Sequence, residues 1–287
     1  MAAWLAITVT SSAFLFAIVT FLLNLYMVLA VFVTKKIKNS PELSLFYARF
    51  AIDVLFAVFN GTYQVCVLSH FLGLEKFIHI IIFFITILGS IDLISIRAIL
   101  VMIITVDRTL AIYVPIKHRL HRGKLSDTLI ISLIFGYALL DHGILWGTCG
   151  YSYYVPKGCI SYGCMLNSCY VNYWLGFEQA MYITTGTFSF LLLIKLFIWN
   201  NCSEKQKSAA FSRANRLALI DILIVALFDF VPVAILAKNI NYNFEEVGPV
   251  NGATKLIGYA IEGSLVARAL IRSNQRKSSV MFSRGTH

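Results

Sequence analysis

Apolar residues in this chain neither alternate with polar ones nor form narrow stripes. They run in long blocks separated by short basic segments. Seven blocks reach the roughly 20 helical residues that a hydrocarbon core requires: 11–33, 45–67, 77–105, 128–147, 173–199, 217–237 and 252–271. Their length and lack of a two-residue period predict helices, since a barrel strand needs only about ten alternating residues. The pattern predicts an all-α membrane protein: one seven-transmembrane-helix bundle over residues 1–271 and a short cytosolic tail over 272–287. The seventh block is the most polar, carrying Lys255, Glu262 and three glycines.

Composition narrows the class without changing the picture. Hydrophobic residues make up 59% of the 287 and charged residues 13%, against roughly 45–50% and about 25% in soluble domains. One soluble core cannot hide that excess, and 22 Phe with 14 Tyr exclude a disordered chain. The net charge of +10 reads first as topology. Sixteen of the 24 Lys and Arg fall between blocks one and two, three and four, five and six, or in the tail; only Lys76, Lys157, Lys238 and Lys255 fall on the other side. By the positive-inside rule the amino terminus is extracellular and the tail cytosolic. No cleavable signal peptide is evident, because residues 1–10 lack a positive charge. The sequons at Asn60 and Asn201 fall in a span and in a cytosolic loop, so neither is expected to carry glycan.

Four cysteines, Cys149, Cys159, Cys164 and Cys169, crowd the loop after block four, and Cys66 lies near the outer end of block two. An extracellular cluster predicts a loop stapled by disulfides, with the pairing open and one of the five left over. The spacing is not that of paired C-x-x-C motifs and the loop has no histidine, so no metal is expected.

Charges inside a bundle ask for partners. Asp53, Asp92, Arg97, Asp141, Asp229 and Glu262 lie within blocks, with Asn24 in the first. Arg97 stands eleven residues, about 16 Å of helix, before Arg108 at the cytosolic end of block three, and Asp53 stands eight residues, about 12 Å, after Leu45. The similar depth predicts a buried Asp53–Arg97 ion pair with Asn24 beside it. In Phe228-Asp229-Phe230-Val231-Pro232 the proline predicts a kink, and a candidate hinge for the cytosolic end of helix six.

Block three ends in Asp107-Arg108 at the membrane–cytosol boundary, with Pro115 seven residues on. This layout resembles that of rhodopsin-type G-protein-coupled receptors, in which such an Asp-Arg pair controls G-protein engagement. Asn24, Asp53 and Phe230-Val231-Pro232 resemble marker positions of that superfamily, and Arg97 falls where it lines a sodium pocket, which implies a guanidinium in place of the ion. Helix seven lacks Asn-Pro-x-x-Tyr, and no cysteine ends helix three on the outer side. A narrower resemblance covers essentially the whole chain, to the nematode serpentine receptor class BC chemoreceptors. It is carried by the 159–174 stretch CISYGCMLNSCYVNYW, by SRANRLALID at 212–221, by Leu227-Phe228-Asp229-Phe230-Val231-Pro232 and by Val247-Gly248-Pro249.

The resemblance implies a plasma-membrane chemosensory receptor that binds a small-molecule ligand among its outer helix halves and activates a heterotrimeric G protein, with membrane lipid around it. It implies no cofactor, and no nucleic acid is expected to bind. Asp107, Arg108 and Pro115 would carry coupling, and Asp229, Phe230 and Pro232 the hinge. The alternative is an ion- or proton-coupled transporter using the intramembrane carboxylates; no inverted repeat or matched pair of broken helices supports it. An enzyme is not expected, since the chain has no His-Glu-x-x-His, Gly-x-Ser-x-Gly or phosphate loop.

Overall fold

The computed structural model describes residues 2–35, 43–74, 80–122, 126–152, 159–202, 219–220, 223–232, 235 and 248–284, and these are helical with no strand. Helix α1 spans Ala2–Val28 and ends in a π-helical turn, Leu29–Val33. Helices α2 (Ser44–Phe71) and α3 (Ile80–Tyr113) follow, then a short α4 (Pro115–Arg122). Helix α5 (Asp127–Gly143) continues into a second π-helical turn, Ile144–Thr148. The outer loop holds a single turn, α6 (Tyr162–Met165), before the long α7 (Ser168–Cys202). A π-helical segment, α8 (Val225–Phe230), falls in the sixth block, and α9 runs over Val250–Arg284.

Among the described residues, four helices are long and apolar enough to cross a membrane: Trp4–Val33, Ser44–Phe71, Ile80–Tyr113 and Asp127–Thr148. Eight of the 21 residues of the sixth block lie outside the described residues. Several helices overrun the expected spans, because apolar content marks the lipid-facing stretch and not the end of hydrogen bonding. α1 begins nine residues before position 11, α3 runs eight past position 105, and α9 continues to Arg284 with no break at 271. The polar tail is thus helical as far as Arg284.

Helix α3 is the axial element. It touches α2, α5 and α7, while α1 lies against α2 and α9. Apolar side chains face outward in number, with Leu139 75% and Phe197 70% exposed, as lipid-facing surfaces require. Burial inside is correspondingly polar: Asn24, Arg49, Asp53, Asn60, Gln64, Ser90, Arg97, Glu178, Lys255 and Glu262 are all buried. In lipid, apolar contact with a neighbouring helix gains little over contact with acyl chains, so close packing and polar contacts hold the helices together. Small residues permit the packing. A Cβ on Gly61 of α2 would stand 3.3 Å from the Ala17 Cβ of α1, and one on Gly258 of α9 only 2.7 Å from the Phe228 Cβ of α8.

Candidate functional site

Helical periodicity builds the buried site. On α2, Arg49 and Asp53 are four residues apart; on α9, Lys255, Tyr259 and Glu262 follow at intervals of four and three; on α7, Glu178 and Tyr182 are again four apart. Each set therefore shares one helix face. These faces converge on Arg97 of α3. Its Nε donates to Asp53 Oδ1 at 2.8 Å, its Nη2 donates to Glu262 Oε2 at 2.5 Å, and its Cζ lies 3.6 Å from the centroid of the Tyr259 ring. Glu262 also faces Arg49, with Oε1 and Nη1 2.6 Å apart, and the Arg49 guanidinium lies 5.5 Å from the Phe46 and Phe50 ring centroids. Two arginines and two carboxylates thus form a compact, charge-balanced box joining α2, α3 and α9. Arg97 Nη1 extends it toward α8, 3.8 Å from Asp229 Oδ2.

A second buried pair lies nearby. Lys255 Nζ donates to Glu178 Oε1 and to the Tyr182 hydroxyl, both at 2.8 Å. Between box and pair is a small cavity lined by Arg97, Tyr182, Thr185, Asp229 and Tyr259, with room for about one water molecule.

The structure brings Asp53 and Arg97 together and leaves Asn24 aside. Asn24 Nδ2 donates instead to the Thr20 carbonyl of its own helix at 2.9 Å, so the expected third member of the network is absent from it. Glu262 takes that place. Arg49, Glu178 and Lys255 were not evident as members. Arg49 stands near the cytosolic start of block two, where a basic residue reads as interfacial, and Lys255 read as an outer-side charge. Lys255 is buried within the bundle. Asp92 faces His142, with Oδ2 and Nε2 3.2 Å apart, and Asp141 accepts from the Tyr170 hydroxyl.

At the other end of α3, Asp107 gathers three basic groups. Arg122 Nε donates to Asp107 Oδ1 at 3.0 Å, His118 Nε2 lies 2.9 Å from the same oxygen, and Arg108 Nη2 is 3.8 Å from Oδ2. Arg122 also contacts Asp127, and Asp127 accepts from Ser44. One polar chain therefore joins α2, α3, α4 and the start of α5. Partial burial lowers the Arg122 pKa, but the Asp127 hydrogen bond and the Asp107 charge outweigh it, and the net direction is up. Pro115 opens α4, where its missing N–H costs nothing.

In the proposed hinge segment, Asp229 is buried, Phe230 is exposed and Pro232 half-buried. The π-helical turn immediately precedes the proline, widening the backbone where it loses a donor.

Among the outer cysteines the pairs are Cys149–Cys169 and Cys159–Cys164. Cys66 is corrected: it is buried on α2 and carries a free thiol, since its side chain faces the core rather than the loop. Cys149–Cys169 ties the end of α5 to the first turn of α7, and the Asn167 amide reinforces it by donating to the Cys149 carbonyl at 2.7 Å.

Residues 2–274 match the protein family described as serpentine type 7TM GPCR chemoreceptor Srbc. The chain belongs to that family. Srbc membership makes it a multi-pass membrane protein of the seven-helix serpentine chemoreceptor type, which is not an enzyme family. No curated protein matches this chain. The buried box is thus the ionic centre of an Srbc bundle, and the α3–α4 junction lies at the far end of the same helix.

Proposed function

We propose that this Srbc protein is a plasma-membrane chemosensory receptor, amino terminus outside, that binds a small molecule among its outer helix halves and activates a heterotrimeric G protein. The observation that carries this reading is the single helix α3, which holds the box at Arg97 and the Asp107–Arg108 cluster in its last two turns. A ligand that alters how α9 and α8 meet Arg97 changes the position of helix six, and with it the cleft beside Arg108. The Asp229–Pro232 segment absorbs the bend. The basic inner loops suit both the G protein and anionic lipid.

Pairing of Asp53, Glu262 and Glu178 with Arg97, Arg49 and Lys255 favours a latch over the proton relay that a transporter needs. The test uses reporter cells expressing wild type or Arg108→Ala at matched surface levels, challenged with a small-molecule panel. Ligand-dependent second-messenger output lost in Arg108→Ala supports the reading. Ligand-dependent flux or current that persists without G protein overturns it.

A further inference from the structure

Tyr162 opens the single turn α6 in the outer loop, yet its side chain belongs to the helix bundle. Its ring stacks on Tyr63 of α2 with centroids 5.0 Å apart, and Tyr63 stacks in turn on Phe83 of α3 at 5.7 Å. The loop is fixed on both sides of it. The Cys159–Cys164 disulfide closes around it, the Tyr63 hydroxyl donates to the Ile160 carbonyl at 3.1 Å, and the Tyr151 hydroxyl donates to the Met165 carbonyl at 3.0 Å. Ile160, Met165 and Leu166 are all buried. An exposed loop has been folded inward to deliver one phenol.

The slot that receives this phenol is polar. Asn60 Nδ2 donates to the Tyr162 hydroxyl at 3.5 Å, the outer limit of a hydrogen bond. Gln64 Nε2 donates to Asn60 Oδ1 at 2.9 Å. Asn60, Gln64 and Ser90 are wholly buried; Ser90 hydrogen-bonds the Tyr162 hydroxyl, and among the described residues Gln64 Oε1 has no hydrogen-bond partner. A plug selected only for packing would meet an apolar wall, because buried polar atoms without partners are costly. Burial pushes the Tyr162 phenol up, so it stays a neutral hydroxyl, and the Lys255 and Glu178 charges lie close enough to act on it. Lys255 shares its α9 face with Tyr259 and Glu262, so an occupant of the slot is connected to the box through one helix.

We propose that Tyr162 is a tethered occupant of the ligand pocket, and that the ligand is a small aromatic molecule bearing a hydroxyl, which displaces that side chain between α2 and α3. The proposal rests on the receptor reading above and names its ligand class. A diffusible ligand, free of the loop, can take over the Ser90 hydrogen bond, shorten the one to Asn60 and reach Gln64 Oε1. Displacing Tyr162 also releases the Cys159–Cys164 loop, so the pocket opens as it fills.

The test is ligand-dependent thermal stabilisation of the purified full-length protein, with p-cresol, the tyrosine side chain cut at Cα, as probe and toluene as its counterpart without the hydroxyl. Tyr162→Ala is expected to be stabilised by p-cresol at concentrations that leave wild type unchanged. One hydrogen bond should give about a fivefold preference for p-cresol over toluene, and Asn60→Leu in the same background should reduce that preference. Equal response of wild type and Tyr162→Ala, or no preference over toluene, overturns the proposal. If Tyr162→Ala does not fold, Tyr162→Phe decides: its plug has lost the hydroxyl, so p-cresol must bind it more tightly than wild type, and equal binding overturns the proposal. This readout involves no signalling, so its failure leaves the receptor reading standing, and a silent reporter assay leaves the binding result standing.

Discussion

Arg97 of α3 and Glu262 of α9 meet through Nη2 and Oε2 at 2.5 Å, with the same guanidinium lying over the ring of Tyr259 one turn away. Through Asp53 and Asp229 this one side chain also reaches α2 and α8. A bundle in lipid has little hydrophobic drive between its helices, and a multidentate buried cation supplies both adhesion and register. The arrangement is also conditional, because the 3.8 Å contact to Asp229 is the loosest of the three carboxylate contacts of Arg97 and involves the helix that carries the proline.

The outer pair should behave as a unit. Lys255→Met leaves Glu178 buried without its cation and is expected to cost about 3–5 kcal/mol, seen as loss of surface expression and of thermal stability. Adding Glu178→Gln should recover much of that loss. A double variant as impaired as the sum of its parts would show that the two residues do not depend on each other.

Asp107 holds Arg108, His118 and Arg122 in one cluster. Asp107→Asn weakens all three contacts, so ligand-independent second-messenger output should rise several-fold at matched surface expression. Output unchanged or reduced would mean that the cluster does not restrain the receptor.

Thiol labelling checks the cysteine assignment. In denatured, non-reduced protein Cys66 should take up a maleimide while Cys149, Cys159, Cys164 and Cys169 remain protected. Cys149→Ser, which opens the staple between α5 and α7, should lower stability by about 3 kcal/mol. Labelling of Cys149, Cys159, Cys164 and Cys169 as well would remove the staples from the account.

Helix six packs on α9 only because position 258 has no side chain. In Gly258→Val a Cβ would fall 2.7 Å from the Phe228 Cβ, so the helices must separate. The expected cost is about 1–3 kcal/mol of stability, together with altered signalling, because Asp229 moves away from Arg97. Stability and signalling equal to wild type would show that the contact is not close.

Much of this was legible before any coordinates. Blocks of apolar residues gave the helices, and counting helical rise placed Asp53 and Arg97 at one depth. The same method did not connect Glu262 to them. The register of α9 against α2 and α3 depends on close approach at glycines and on Tyr259, and depth along one helix carries no such information. Arg49 and Lys255 were missed for a related reason. A long basic side chain near a span's end can snorkel outward or turn inward, and only a carboxylate on another helix decides which. The inward Tyr162 was hidden because loop paths follow from disulfide pairing, which spacing leaves open.

The claim on which the account turns is that Arg97 binds its three neighbouring helices into one unit. A double-mutant cycle with Arg97→Met and Glu262→Gln, read by thermal unfolding of the purified protein, measures it most directly. Each single change should cost several kcal/mol, with the double recovering at least about 1.5 kcal/mol relative to their sum, as expected when one partner of a buried pair no longer strands the other. Additive costs within about 0.5 kcal/mol would mean that the two residues do not interact, and the latch at the centre of this receptor would be gone.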